Sequence, residues 1–324
     1  FSLTIDGTPL SAITIASQEA QLPSYLVSGE KQPGYLWDGE HLTRWYWKSL
    51  SLFEGTRVLT FEALSITPLS QLSTTLRDEA LTLVRRLAEA LLRCDAAFLD
   101  LSSGIIPLWR LWVTDEGEIL IMSQDIGDLF SSVSSDEERY LNIACWVHHT
   151  VHAPFSLIDQ MTSLLYYSAV GTPPFADRNS REDGFRHLPL SMIETGLDER
   201  TVSFIDETLS TSLAKMREAS GNKLPHKALS AFLEQSEELV WNLEAVAQVM
   251  SEEARLASPK AAEFARRQAT RANAKIFWRK FGWIIITVAL SLALVTSFVV
   301  GRVKESLAPP YTATFDQEEI IKAY

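Results

Sequence analysis

The amino-acid sequence predicts an α+β protein, β-rich at its N-terminal end and helical beyond, tethered to a membrane by one C-terminal span. Three features carry that expectation. Residues 1 to about 65 run as short alternating apolar and polar stretches separated by turn dipeptides, and from Arg77 onward apolar residues recur at helical spacing. The third is FGWIIITVALSLALVTSFVV, Phe281 to Val300, twenty residues without a charge. At 1.5 Å per residue such a helix covers about 30 Å, the hydrocarbon thickness of a bilayer.

The elements follow in order. FSLTI alternates and ends in a turn at Asp6-Gly7, a second turn falls at Asp38-Gly39, and RVLTFEAL, Arg57 to Leu64, is rich in strand formers. The Ser/Thr-rich SITPLSQLSTT then reads as a linker. In RDEALTLVRRLAEALLRC, Leu81, Val84, Leu87 and Leu91 share one face while Arg85, Arg86, Glu89 and Arg93 lie off it, which predicts an amphipathic helix. LWRLWV and EILIM flank TDEG, a hairpin turn at Asp115 to Gly117. From Ser135 to Leu243 the pattern is helical, broken at Pro154, at GTPPF and at SGNKLP. Asn242 to Lys275 is rich in Ala, Glu and Arg and predicts a juxtamembrane helix running into the span.

Composition narrows the function. With 324 residues, 46% of them hydrophobic, the chain sustains a core of its own. A net charge of −12 and the lack of a basic stripe in the globular part exclude nucleic acid as a partner. Cys94 and Cys145 stand in apolar helical contexts without metal-ligand spacing, so they read as reduced, buried thiols of a cytosolic domain. Arg266, Arg267, Arg271, Lys275, Arg279 and Lys280 precede the span and only Arg302 and Lys304 follow it before Pro309 and Pro310. The positive-inside rule therefore places the N-terminal domain in the cytoplasm and the C-terminus outside, with Trp278 and Trp283 as interfacial anchors and the basic cluster facing anionic lipid.

The order and wording of several motifs resemble a protein kinase domain. RVLTFEAL resembles the last strand of the small lobe and its hinge, with Glu62 at the acidic hinge position. ALTLVRRLAEALLRC resembles the long helix before the catalytic loop, VTDEGEILIM the hairpin after it, and LLYYSAVGTPPF the end of the central large-lobe helix, with Tyr166, Gly171, Pro174 and Phe175 in register. FIDETLSTSL and KLPHKALSAFL resemble the closing helices, and the likeness covers roughly residues 20 to 237. It implies a bilobal kinase-like fold: a reduced β-rich lobe at 1–64, a helical lobe at 65–241, a basic juxtamembrane helix at 242–280, the transmembrane helix at 281–300 and an extracytoplasmic linker from 301 to 324.

The departures from the kinase pattern bear on chemistry. Phosphoryl transfer needs a glycine-rich cover, a strand lysine, a catalytic-loop Asp and Asn, and a Mg²⁺-binding Asp. Gly29, Gly34, Gly39 and Gly55 are scattered, Lys31 reads as a turn lysine, and Pro107, Leu108 and Trp109 stand where His-Arg-Asp belongs. Asp100 is a candidate displaced catalytic aspartate. Asp125, in an Asp-Ile-Gly triplet, is a candidate for Mg²⁺ or catalysis. Phe155 replaces the glutamate of the segment that closes an activation loop, and Asp159 sits two residues from the position of the central-helix aspartate. Trp109 and Trp112 are expected to occlude the nucleotide cleft. WVHHTVH sets His148, His149 and His152 on one helix at metal-ligand spacing, read as a packed or solvated histidine face since no acid or cysteine completes it.

The resemblance then implies a pseudokinase in the plasma membrane of a bacterium, passing the bilayer once, without a cofactor, binding protein partners on both sides as a signalling or assembly scaffold. The alternatives are an atypical active Ser/Thr kinase using ATP and Mg²⁺, and a structural subunit of an envelope or secretion machine. The architecture resembles that of membrane-anchored bacterial Ser/Thr kinases and of the pseudokinase component of type VII secretion. The last run, TFDQEEIIKAY, has Asp316 and Glu319 at capping-box distance and resembles the first helix of a small cystatin-like domain that continues past Tyr324.

Overall fold

The computed structural model describes residues 1–5, 7–24, 29–94, 104–149, 151, 155–176, 187–193, 195–210, 225–242, 252–307 and 321. Two compact units divide the chain, Phe1–Gln268 and Ala269–Tyr324. The first is mixed α+β, with its sheets in the N-terminal part and helices after them.

Two antiparallel sheets form its β part. Strands β1 (Ser2–Ile5), β2 (Thr8–Ser17), β5 (Ser49–Phe53) and β6 (Thr56–Glu62) pair in the order β1-β2-β6-β5. Strands β3 (Gly34–Trp37), β4 (Leu42–Trp45), β7 (Ile66–Pro68), β8 (Leu111–Thr114) and β9 (Ile119–Ile121) pair in the order β4-β3-β9-β8-β7. The predicted hairpin at TDEG is therefore present, and β3 adds to its far edge, Leu36 opposite Leu120. That pairing joins residues more than 80 apart, so the second sheet belongs to neither predicted lobe alone. β6 and β2 are central strands, and Val58, Leu59 and Phe61 are fully buried on both faces of β6.

Helix α1 (Ala80–Arg93) buries the predicted face, Leu81, Val84, Leu87 and Leu91, and also Leu83, Ala88 and Ala90, because neighbours pack on two sides of it. Helices α2 (Gln124–Val133) and α3 (Asp136–Asn142) follow, the latter opened by a capping box in which the Ser135 side chain accepts the Glu138 N–H. Helix α4 (Ser156–Val170) is the pillar of this unit. Thirteen of its fifteen residues are buried, polar ones included, so it is buried all round rather than amphipathic. It ends at Gly171, whose φ of 80° is the left-handed cap that a glycine adopts without strain, and Arg77 donates to the carbonyls of Ser168 and Ala169 at that end. Helices α5 (Glu199–Leu209) and α6 (Pro225–Ser236) complete the packing against α1 and α4.

Two sequence expectations need correction. Ser65–Thr75 is no free linker: it forms β7 and a 3-10 helix at Leu69–Ser73 whose Leu69 and Leu72 are fully buried. His148 and His149 are not helical, since α3 stops at Asn142 and a single 3-10 turn, Ala144–Trp146, leads into extended Val147.

A short turn, α7 (Glu252–Arg255), precedes α8 (Pro259–Leu307), a helix of 49 residues. It is the one helix among the described residues long and apolar enough to cross a membrane, with a mean hydropathy of 2.5 across its candidate span. The chain thus carries one candidate transmembrane helix near its C-terminus, consistent with a single-pass membrane protein.

Candidate functional site

A cleft of about 710 Å³ opens beside the first sheet. It is lined by Ser11, Ala12 and Thr14 of β2, by Ala63, Ser65 and Ile66 of the chain that leaves β6, and by Phe130. Trp109 and Trp112 are part of this lining. Trp109 stacks on Phe130 at 6.1 Å and 21°, and its carbonyl accepts the Trp112 indole N–H at 2.8 Å, which fixes both rings. No charged side chain lines the cleft among the described residues.

The connection after β6, the hinge position of the sequence reading, is closed by one hydroxyl. Ser11 Oγ donates to the Leu64 carbonyl at 2.7 Å and accepts the Leu64 N–H at 2.9 Å. A ligand in the cleft therefore meets a Leu64 backbone whose donor and acceptor are both taken. Glu62 itself is on the surface, paired with Lys48 at 3.6 Å.

Asp125 begins helix α2 but does not reach the cleft. Its carboxylate accepts the Trp47 indole N–H at 3.1 Å and the Gln32 N–H at 3.4 Å, and its own helix supplies the Ile126 N–H at 3.0 Å. Lys31 places its ammonium 4.4 Å above the Trp47 ring and donates to the Lys48 carbonyl, so this lysine is a cation–π partner of the same indole. The glycine of the Asp-Ile-Gly triplet has its own reason. A Cβ on Gly127 would stand 2.7 Å from Cδ of Arg110, which is fully buried. Arg110 donates through Nε to the Met122 carbonyl and through Nη1 to Gln124; burial lowers its pKa to about 10 against the opposing pull of Asp128 and Asp125.

Helix α4 holds two loops by polar side chains. Gln160 donates to the Ile106 carbonyl at 2.6 Å and accepts the Ile106 N–H at 3.0 Å, gripping the chain just before the Trp109 wall. Asp159, fully buried beside it, accepts the His148 backbone N–H at 3.1 Å. Burial pushes this carboxyl up to about 7, with the His148 hydrogen bond opposing the rise. His148 and His149 rings lie 4.6 Å apart, and His148 meets Phe175 edge-on, a packed rather than ligating arrangement. Among the described residues no three His, Cys, Asp or Glu side chains gather for a metal ion.

Asp100, His152, Asp316 and Glu319 lie outside the described residues. Cys94 and Cys145 are buried, as expected. Arg266, Arg267, Arg271, Lys275, Arg279 and Lys280 all lie on α8, N-terminal to its apolar stretch, with Trp278 and Trp283 exposed on the same helix. Ser11, Gln160 and Arg110 escaped the sequence reading; the available signal was a polar residue inside an apolar run, as in LSAITI and LWRLWV. No family model matches this chain, and no curated protein matches it.

Proposed function

We propose that this chain is a catalytically inactive, protein-kinase-like membrane protein that acts as a signalling or assembly scaffold by binding other proteins. The observation that carries the reading is a cleft lined by no charged side chain among the described residues. In a kinase-like domain the space between the sheet and the helical part would hold a nucleotide, and phosphoryl transfer there rests almost wholly on electrostatics: a lysine on the phosphates and acidic side chains on Mg²⁺. Here β2, the strand lining the cleft, contains no lysine, and Asp125 is engaged by Trp47 and Gln32. Asp125 is a poor Mg²⁺ site for a further reason, since no group of three His, Cys, Asp or Glu side chains that could hold a metal ion occurs among the described residues.

In this reading the domain lies in the cytoplasm of a bacterium and the C-terminus outside, as the charges flanking the span favour. The six basic residues of α8 hold anionic lipid at the inner surface. Partners bind on both sides of the membrane, and confinement to two dimensions raises their effective concentration.

Release of phosphate from ATP by the purified full chain, with Mg²⁺ or Mn²⁺, tests this. The expected result is no turnover above a heat-inactivated control. Metal-dependent turnover that is lost in Asp125→Ala would overturn the proposal in favour of an atypical active kinase.

A further inference from the structure

Strand β5, Ser49–Phe53, forms one edge of the first sheet, and no strand among the described residues pairs with its outer side. Such an edge is normally blunted by a charge or a proline, because its unpaired backbone groups template another strand. Two other sheet edges of this protein are blunted so: β4 carries Arg44, and β7 ends in Pro68. β5 reads SLSLF, without charge or proline, and leaves Leu52 55% and Phe53 39% exposed.

The hairpin fixes which backbone groups are free. Glu54 and Gly55 have φ of 46° and 76°, a two-residue turn with both central residues left-handed, so Phe53 and Thr56 form its closing hydrogen-bonded pair. By the same alternation Ser51 and Ser49 bond inward to β6, and the Lys48 N–H reaches the Thr60 carbonyl on that same side. The N–H and C=O groups of Leu50 and Leu52 therefore point outward.

The sequence along this edge is complementary to itself. KSLSLFE, Lys48 to Glu54, set antiparallel to a second copy about Ser51, brings Leu50 opposite Leu52, Ser49 opposite Phe53 and Lys48 opposite Glu54. The register matches the backbone: Leu50 of one copy and Leu52 of the other meet as hydrogen-bonded pairs and share one face, where leucine packs on leucine. Opposite charges meet at both ends. Glu54 alone of the described non-glycine residues has a positive φ, at a turn position that favours Asn, Asp or Gly. Its carboxylate has no partner among the described residues. A glutamate kept there against the backbone preference has a task outside the turn. Lys48 meets Glu62 at 3.6 Å, an exposed pair that leaves its ammonium accessible to a second carboxylate.

We infer that β5 is a docking edge for a second copy of this chain, the two four-stranded sheets joining antiparallel about Ser51 into one. Five residues bury little beside the roughly 1,200 Å² of a stable interface, so the pairing forms where the span confines copies to one membrane. This goes beyond the scaffold reading by naming a partner, and it does not depend on the nucleotide chemistry of the cleft.

Disulfide trapping of the full chain in phosphatidylcholine and phosphatidylglycerol vesicles tests it. In this register the two Ser51 Cα atoms lie about 4.5 Å apart, within disulfide reach, whereas the two Ser49 residues are offset by about 13 Å along the strand. Under mild oxidation Ser51→Cys should give a covalent dimer and Ser49→Cys none, although Ser49 is the more exposed residue. The native cysteines, both buried, set the background in the parent chain. Adding Glu54→Lys to Ser51→Cys should lose most of the dimer, by setting ammonium against ammonium, and the further change Lys48→Glu should restore it. Four outcomes would each overturn the inference: no dimer from Ser51→Cys above the parent, equal trapping at Ser49, a yield indifferent to Glu54→Lys, or no recovery in the charge-swapped chain. Phosphate release from ATP is read separately, so failure here leaves the scaffold reading standing.

Discussion

The Asp125 carboxylate accepts the Trp47 indole N–H at 3.1 Å across 78 residues of sequence. This contact engages an aspartate that the sequence offers only as a candidate Mg²⁺ ligand. Trp47 is buried in the core between the first sheet and α2, and Lys31 covers its ring, so the three side chains fasten the Lys31–Gln32 turn to the start of α2. Asp125→Ala should therefore lower stability by about 1.5 to 3 kcal/mol, the range for a hydrogen bond to a charged acceptor. Thermal unfolding of Asp125→Ala, Trp47→Phe and the double variant gives the cycle; the account expects clear coupling, whereas additive effects would show the contact to be idle.

Asp159 makes stability depend on pH. Its carboxyl is raised from 3.8 to about 7 by burial in α4, so between these values the folded state keeps a proton that the unfolded state has released. Stability contributed by this residue is full below about 3.8, falls as pH rises toward 7 and levels off above it. Asp159→Asn keeps an oxygen for the His148 N–H and carries no charge. It should flatten the Tm profile through this window and raise the Tm above pH 7; an unchanged slope would contradict the assignment.

Gly127→Ala should destabilise by about 1 to 3 kcal/mol, because the added methyl has to displace the buried Arg110 stem 2.7 Å away. In an Arg110→Ala background, where Cγ and Cδ are gone, the same Gly127→Ala change should cost less. A Gly127→Ala protein as stable as the parent would mean that Arg110 yields without cost.

Replacing Arg266, Arg267 and Arg271 together by Ser should weaken attraction to anionic lipid by about 1 kcal/mol for each charge near the surface. Fluorescence of a label near α7 in nanodiscs with and without anionic lipid reads this; equal signals in both lipids for the parent chain would remove the lipid role.

Local patterns were legible in the sequence and distant pairings were not. Leu81, Val84, Leu87 and Leu91 announced α1, the TDEG turn announced the β8–β9 hairpin, and the uncharged run announced the span. The addition of β3 to β9 left no mark, because a short strand's partner is set by the whole core. Ser65–Thr75 misled by composition, although Leu69 and Leu72, three residues apart, carry the core side of that segment. At the site, how an indole such as Trp109 packs depends on neighbours such as Phe130, which stacks on it from 21 residues along the chain. Ser11 was invisible for the same reason: one hydroxyl in a strand gains its role only from the Leu64 backbone 53 residues away.

The central claim, a kinase-like cleft without nucleotide chemistry, is tested most directly by the melting temperature of the full chain in nanodiscs with ATP and Mg²⁺ or Mn²⁺. A ligand that binds only the folded state at a hundredfold excess over its Kd adds about 2.7 kcal/mol. The account predicts no metal-dependent rise in Tm. A saturable rise that requires both ATP and the metal would contradict it.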